Sequence, residues 1–280
     1  MYIAASPRLR SFNLAQIDSS WSPTSAIRET LGEMAHKGRG NSMEYKSGCL
    51  ICGKELAYQG NYEKVECYYC NDTYDMNVKC INGHFVCDKC HSLSANELIE
   101  RFCVNTELGD PIEIALILMR NHKIKMHGPE HHFLVPAVLL ASYYNLKHDD
   151  KKKIEKIKRA EKRAKNLLGG FCGHYGACAA GVGTGVFISL ITEATPLSKQ
   201  EWKLSNMMTS KSLLSIANVG GPRCCKRTVF LSITEAVNFL DENFGVKINI
   251  NKNLRCEFSS LNKECLREKC PFYYQRSDKI

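Results

Sequence analysis

The sequence predicts a mostly helical protein that opens with a small β-rich Cys/His module. Three observations carry that expectation. Eight cysteines and histidines between Cys49 and Cys90 fall into metal-type pairs. From Ser94 onward, apolar residues recur at helical spacing between recognisable caps. Beyond residue 93 few alternating β-branched runs occur, so no second sheet is expected.

Four segments follow from these shifts in pattern. Residues 1–42 are rich in Ser, Pro, Arg and Gly without sustained periodicity, and read as a disordered leader, or as an extension upstream of a natural start at Met43; a short helix over 24–36 is an alternative. Residues 43–93 form the Cys/His module, 94–246 an all-α domain of six or seven helices, and 247–280 a cysteine-bearing tail packed on it. Ser94 with Glu97 spells a capping box before ELIERF. Asp110-Pro111 and Gly128-Pro129 open the next two helices, with proline in the first turn, where its missing N–H costs nothing. A basic helix follows, then helices over Ala177–Ile191, Lys199–Ala217 and Cys225–Phe244.

Composition excludes several classes. Hydrophobic content of 44% and charged content of 24% are those of a globular chain. No apolar run reaches the roughly 18 residues of a membrane span, and the start MYIAASPRLR has no signal-peptide layout. A cytoplasmic protein with no membrane partner is expected. The net charge of +9 concentrates between Lys147 and Lys165, where ten Lys/Arg meet four Asp/Glu. That stripe could meet nucleic acid, but Glu155 with Arg159 and Glu161 with Lys165 also suit a solvated helix face, which is the favoured expectation.

Fifteen cysteines in a reducing compartment point to metal or redox chemistry rather than disulfides. Eight ligands line up as Cys49-x2-Cys52, Cys67-x2-Cys70, Cys80-x3-His84 and Cys87-x2-Cys90. Two CxxC turns complete a tetrahedral ion, and the fourteen-residue spacer between the first two suits the hairpin of a zinc ribbon. KCINGHFVCDKC instead resembles the central stretch of RING-type fingers, in which Cys-x3-His and the next CxxC serve different zincs. Sequential and cross-brace pairings are both open. Two zinc ions are expected, chiefly to fold a segment too small for its own core, with docking or nucleic-acid reading as further roles. His91 and Cys103 are expected to be spare.

Seven more cysteines sit in glycine-bracketed places: Cys172 and Cys178 in GGFCGHYGACAAGVGTG, Cys224 and Cys225 in GGPRCCKR, and Cys256, Cys265 and Cys270 in the tail. Thiolates at helix starts gain from backbone N–H groups, and Arg223, Lys226 and Arg227 add positive charge, so low pKa values are expected there. An iron–sulfur cluster is favoured, with a redox dithiol, a third zinc or inert buried thiols as alternatives.

GGFCGHYGACAAGVGTG and GGPRCCKR resemble a family of uncharacterised cysteine-rich proteins of anaerobic microbes, whose domains occur alone or joined to radical-SAM or methyltransferase modules; the likeness extends from the Cys49 module to the tail. The stretch Gly169–Leu240 also resembles the helical domains of iron–sulfur L-cysteine desulfidases and L-serine dehydratases. The carrying residues are Cys172-Gly173, Ala179-Ala180-Gly181, Asn206-Met207, and Cys224 or Cys225 beside Lys226. Asn218 and Gly220 stand where that family has a further cysteine, a place the tail cysteines could fill.

This resemblance implies three cysteines holding a [4Fe-4S] cluster with one open iron, in a lyase or sulfur-transfer protein acting on a small sulfur-bearing substrate. Lys226 or Arg223 would hold a carboxylate, His174 would be a base or ligand, and Asn206 would sit in the site. A non-catalytic zinc/iron–sulfur adaptor for a partner enzyme or RNA is the alternative function. Finally, His127-Gly-Pro-Glu130-His131-His132 spells HxxEH, but Gly128-Pro129 keeps His127 off the helix, which excludes the zinc-protease geometry. His127, Glu130 and His131 are expected either to cap that helix or to face a substrate.

Overall fold

A computed structural model describes residues 49–52, 54–91 and 93–274; the expectations for residues 1–42 lie outside them. A two-stranded antiparallel hairpin, β1 (Leu56–Glu66) and β2 (Thr73–Cys80), is the only sheet among these residues, and all else regular is helical. Nine helices follow it: α1 (Asp88–His91), α2 (Ala95–Asn105), α3 (Pro111–Arg120), α4 (Glu130–Lys147), α5 (Asp150–Ala164), α6 (Phe171–His174), α7 (Ala179–Thr192), α8 (Gln200–Val219) and α9 (Cys225–Phe244). Short 3-10 turns at Ser259–Leu261 and Arg267–Lys269 shape the tail. Module and helices belong to one compact unit, Met43–Ile280.

The helix starts are local chemistry. Ser94 and Glu97 form both halves of the capping box on α2. Asp110 accepts from the amides of Ile112 and Glu113 ahead of Pro111 in α3. Asp149 caps α5 through the Lys152 amide. α4 is buried on nearly every side, from Phe133 to Ala141, and packs against α2, α3, α5, α7 and α9, so it is the axis of the core.

α7 packs between α4 and α8, and its glycines make that possible. A Cβ at Gly183 would stand 2.9 Å from the Pro136 ring of α4; one at Gly185 would stand 2.9 Å from the Ser205 carbonyl of α8 and overlap Thr209. These glycines let the helices approach each other.

Part of the basic stripe is stitched inward, while Lys147, Lys151, Lys158 and Lys162 stay exposed. Lys153 and Lys156 on α5 are buried; Lys153 donates to the Thr106 carbonyl and Asn145, and Lys156 pairs with Glu193. Arg159 pairs with Glu155 and Glu193, and Lys165 with Glu161. Among the described residues no helix is long and apolar enough to cross a membrane.

The module is anchored through the CYYC knuckle. Tyr69 is 1% exposed; its hydroxyl accepts from Asn121 at 2.8 Å, and both Tyr68 and Tyr69 pack on Phe102 of α2. The tail is fastened by a two-point Arg120–Glu257 pair, by the Asn251 amide donating to Asp110, and by Phe272 against Phe230.

Candidate metal centres

Cys49, Cys52, Cys80 and His84 form one group and Cys67, Cys70, Cys87 and Cys90 a second, each with all ligand atoms within 4.8 Å of one another. The first and third ligand pairs meet, and the second meets the fourth: this is the cross-brace arrangement. Of the two pairings that the spacing leaves open, the sequential one of Cys49-x2-Cys52 with Cys67-x2-Cys70 is not the one present. The reason is topological, since the fourteen-residue spacer supplies only β1, and Cys67–Cys70 sits in the turn leading to β2. A Zn–S bond of 2.3 Å implies tetrahedral edges of about 3.8 Å. Cys52–Cys80 at 3.4 Å, Cys49–His84 Nδ1 at 3.7 Å and Cys70–Cys87 at 3.9 Å suit such an ion.

Backbone amides already point at these sulfurs: Ile51 to Cys49, Asn82 to Cys80 and Cys90 to Cys87, at 3.3–3.4 Å. Burial pushes the Cys49 thiol up to about 11. At Cys87 burial also works upward, but the Tyr74 hydroxyl and the Cys90 amide outweigh it and bring the thiol to about 7. His91 is exposed, and Cys103 lies in the core with its thiol held neutral by burial.

The seven downstream cysteines divide between two cavities. Cys172 on α6, Cys178 at the start of α7 and Cys225 at the start of α9 line a cavity of about 230 Å³ with His127, His131, His132 and Arg223. Cys224, Cys256, Cys265 and Cys270 line a second, tighter cavity walled by Phe230, Phe258 and Phe272. Cys224 does not join Cys172, Cys178 and Cys225, because it turns to the tail.

Each of three histidines of the larger cavity has its tautomer fixed by an oxygen acceptor. His127 Nε2–H donates to Asn262 Oδ1, His131 Nδ1–H to the Gly128 carbonyl, and His132 Nδ1–H to the Leu167 carbonyl. Those oxygens can only accept, so each ring keeps a lone pair on its other nitrogen. His127 Nδ1 and His131 Nε2 are buried without a partner. Burial lowers all three pKa values, His131 well below the usual range, so the rings stay neutral. A metal-binding histidine is prepared in this way, its second N–H fixed on a carbonyl.

Other expected site residues lie elsewhere. Lys226 is 2% exposed, donates to the carbonyls of Met119 and Ile124, and is brought down to about 7 by burial; it plugs the α3–α4 connection and does not line the cavity. Arg227 clamps the carbonyls of Gly220 and Pro222, shaping the GGPRCC loop. That leaves Arg223 as the cation of this trio lining the larger cavity, exposed at its rim. His174 is exposed, its ring folded over Gly170, and does not line it either. Asn206 is exposed on α8 and donates back to the Trp202 carbonyl. Glu130 accepts from the Lys125 amide, folding over Gly128 to brace the loop rather than facing the cavity.

The lowered pKa expected of Cys224 and Cys225 is also corrected. Burial raises both, Cys225 to about 11, although the Gly128 amide and Arg223 pull Cys225 down. Desolvation outweighs the helix terminus, so a bound cation would have to hold these sulfurs as thiolates. Sequence reasoning missed His132 as part of this cavity; its place one residue after His131 was the available signal.

Fold and site define a helical protein with two cross-braced Cys/His metal-type groups and a separate cysteine/histidine cavity. The family of unknown function DUF5714 matches residues 99–273, and the chain belongs to that family. The match begins after the Cys/His module, short of the expected likeness from Cys49 onward. No curated protein and no solved structure matches the chain.

Proposed function

We propose that this chain is an iron–sulfur enzyme whose substrate site is the cavity of Cys172, Cys178 and Cys225. The observation that supports it is the lining: three thiols from three separate elements, no fourth thiol, three neutral histidines and one arginine. Held by three thiolates, a [4Fe-4S] cluster would keep one iron for a substrate thiol, hydroxyl or carboxylate and supply Lewis-acid chemistry there. The chain's own residues divide the remaining work. Arg223 offers a two-point fork to a carboxylate. His131, held neutral by burial with its Nδ1–H on the Gly128 carbonyl, keeps the wall of the site uncharged beside the thiols. The reaction class is a desulfidase-like elimination or a sulfur transfer on a small thiol or sulfur-bearing acid, in the reducing cytoplasm. The Cys/His module would carry one zinc in each group.

Anaerobic reconstitution with iron and sulfide, followed by titration with L-cysteine and small mercapto acids, tests this. Visible iron–sulfur absorption should form, and a small thiol should shift it. Arg223→Met should weaken a carboxylate-bearing thiol roughly 10- to 100-fold, the worth of a charged hydrogen bond of about 1.5–3 kcal/mol. A reconstituted protein with no such absorption, or one indifferent to every thiol, would reject the proposal.

One observation favours an adaptor role for the module beside this chemistry. Tyr58 and Tyr62 on β1 are 76% and 72% exposed, and Ile81 is 60% exposed. Exposed aromatics of this kind suit a protein partner, such as a radical-SAM or methyltransferase enzyme, better than RNA, because much of the basic helix is already paired. Replacing both tyrosines by serine should abolish partner binding and leave metal content unchanged.

A further inference from the structure

We infer that Cys224, Cys256, Cys265 and Cys270 hold a second metal centre, an all-cysteine iron–sulfur cluster separate from the substrate cavity. Four thiols line their cavity with no histidine or carboxylate among them, and much of the remaining wall is apolar: Phe230, Phe258, Phe272 and Met126. A buried hydrophobic core has no need of four converging thiols drawn from a helix cap and three points of the tail.

The backbone repeats the ligand turns of the N-terminal module. Phe258 N–H donates to Cys256 Sγ, Arg267 N–H to Cys265 Sγ and Arg227 N–H to Cys224 Sγ, each at 3.4 Å. These are the spacings of Ile51 on Cys49, Asn82 on Cys80 and Cys90 on Cys87, two, two and three residues on. Arg267 reaches its sulfur with φ of 50°, a left-handed conformation that a non-glycine residue adopts at a cost of about 1 kcal/mol or more. The buried Arg227 on the cavity wall supplies positive charge for several thiolates at once.

Sulfur spacing selects a cluster over a single ion. Among the described residues only the two N-terminal groups bring three or more ligand atoms within 4.8 Å of one another. No three of the four sulfurs of this cavity come that close, which is wider than the edges of a single tetrahedral ion and in keeping with ligands of a cluster. Two links join this centre to the substrate cavity: the Cys224–Cys225 peptide, and the hydrogen bond from His127 of that cavity to Asn262 of this one. The second centre stands whether or not the first cavity holds a cluster.

Full-length protein, reconstituted anaerobically, tests it in two ways. Cys256→Ser/Cys270→Ser should lose about four irons per chain, while Cys172→Ser/Cys178→Ser should leave those irons in place. To make the test independent of the tail variant's folding, the unaltered holoprotein is also alkylated and mapped by mass spectrometry, with and without an iron chelator. Cys256, Cys265 and Cys270 should be protected until the chelator is added, then label together; Cys103, buried in the core, should stay unlabelled in both. Labelling of the tail cysteines that ignores the chelator, a third zinc in place of iron, or unchanged iron in a folded tail variant would overturn the inference. Failure of the substrate-cavity proposal alone would show differently, as iron lost by the tail variant and none by the Cys172/Cys178 variant.

Discussion

Cys224 and Cys225 are adjacent in the chain and serve different cavities. Cys224 is the cap of α9 and faces the tail cysteines; Cys225 is the first helical residue and faces Cys178 and Arg223. Successive residues entering a helix project about 100° apart, so the pair is a divider between two sites rather than a two-tooth clamp on one. Cys225→Ser should therefore abolish the thiol-dependent spectral shift of the reconstituted protein and leave the tail centre intact. Cys224→Ser should do the reverse. Identical spectra from the two variants would remove the division on which the account rests.

Cross-bracing makes the two N-terminal groups interdependent. His84 and Cys87 are three residues apart, which holds their sites within about 11 Å along the chain. Cys67→Ser should lower zinc content at both groups, not one, and reduce hydrogen-exchange protection of β1 and β2 together. Loss confined to a single group would indicate independent sites.

Tyr69→Phe isolates the module's anchor. It removes only the hydroxyl that accepts from Asn121, leaving a buried amide unpaired. The expected cost is about 1–3 kcal/mol in denaturant unfolding, with zinc stoichiometry unchanged.

Lys226 predicts a pH signature. Burial holds its folded pKa near 7, below the unfolded value of 10.5. Between these values the unfolded chain binds more protons than the folded one, so this residue's contribution rises with pH and is lost as pH falls toward 7. Relative to Lys226→Met, the native protein should gain stability from pH 7 to 10 by at most about 1.4 kcal/mol per unit. Parallel stability curves for the two proteins would contradict this.

Gly185 of α7 and Gly173 of α6 give a paired test of packing. Gly185→Ala drives a Cβ into Ser205 and Thr209 and should cost about 1–3 kcal/mol. Gly173→Ala, with nothing within 4 Å, should leave thermal stability nearly unchanged.

Helix boundaries were legible because their signals are local. The Ser94–Glu97 box, Asp110-Pro111 and the Cys225–Phe244 run carry their own caps and period. The eight N-terminal ligands were legible by spacing, but their partners were not, since a CxxC turn is the same whichever ion it serves. Lys226 read as a cation beside thiols, yet the helical period that places Cys225 in the cavity turns Lys226 into the core. The role of His131 rests on a tautomer set by the Gly128 carbonyl, a contact no periodicity encodes. Tail cysteines spaced over Cys256–Cys270 became a site only through the long-range packing of Phe272 on Phe230.

Metal and sulfide analysis of the anaerobically purified native chain tests the central claim most directly. One zinc per N-terminal group and about four irons with matching sulfide at each cysteine cavity are expected. Zinc alone, with no acid-labile sulfide under strict exclusion of oxygen, would contradict it.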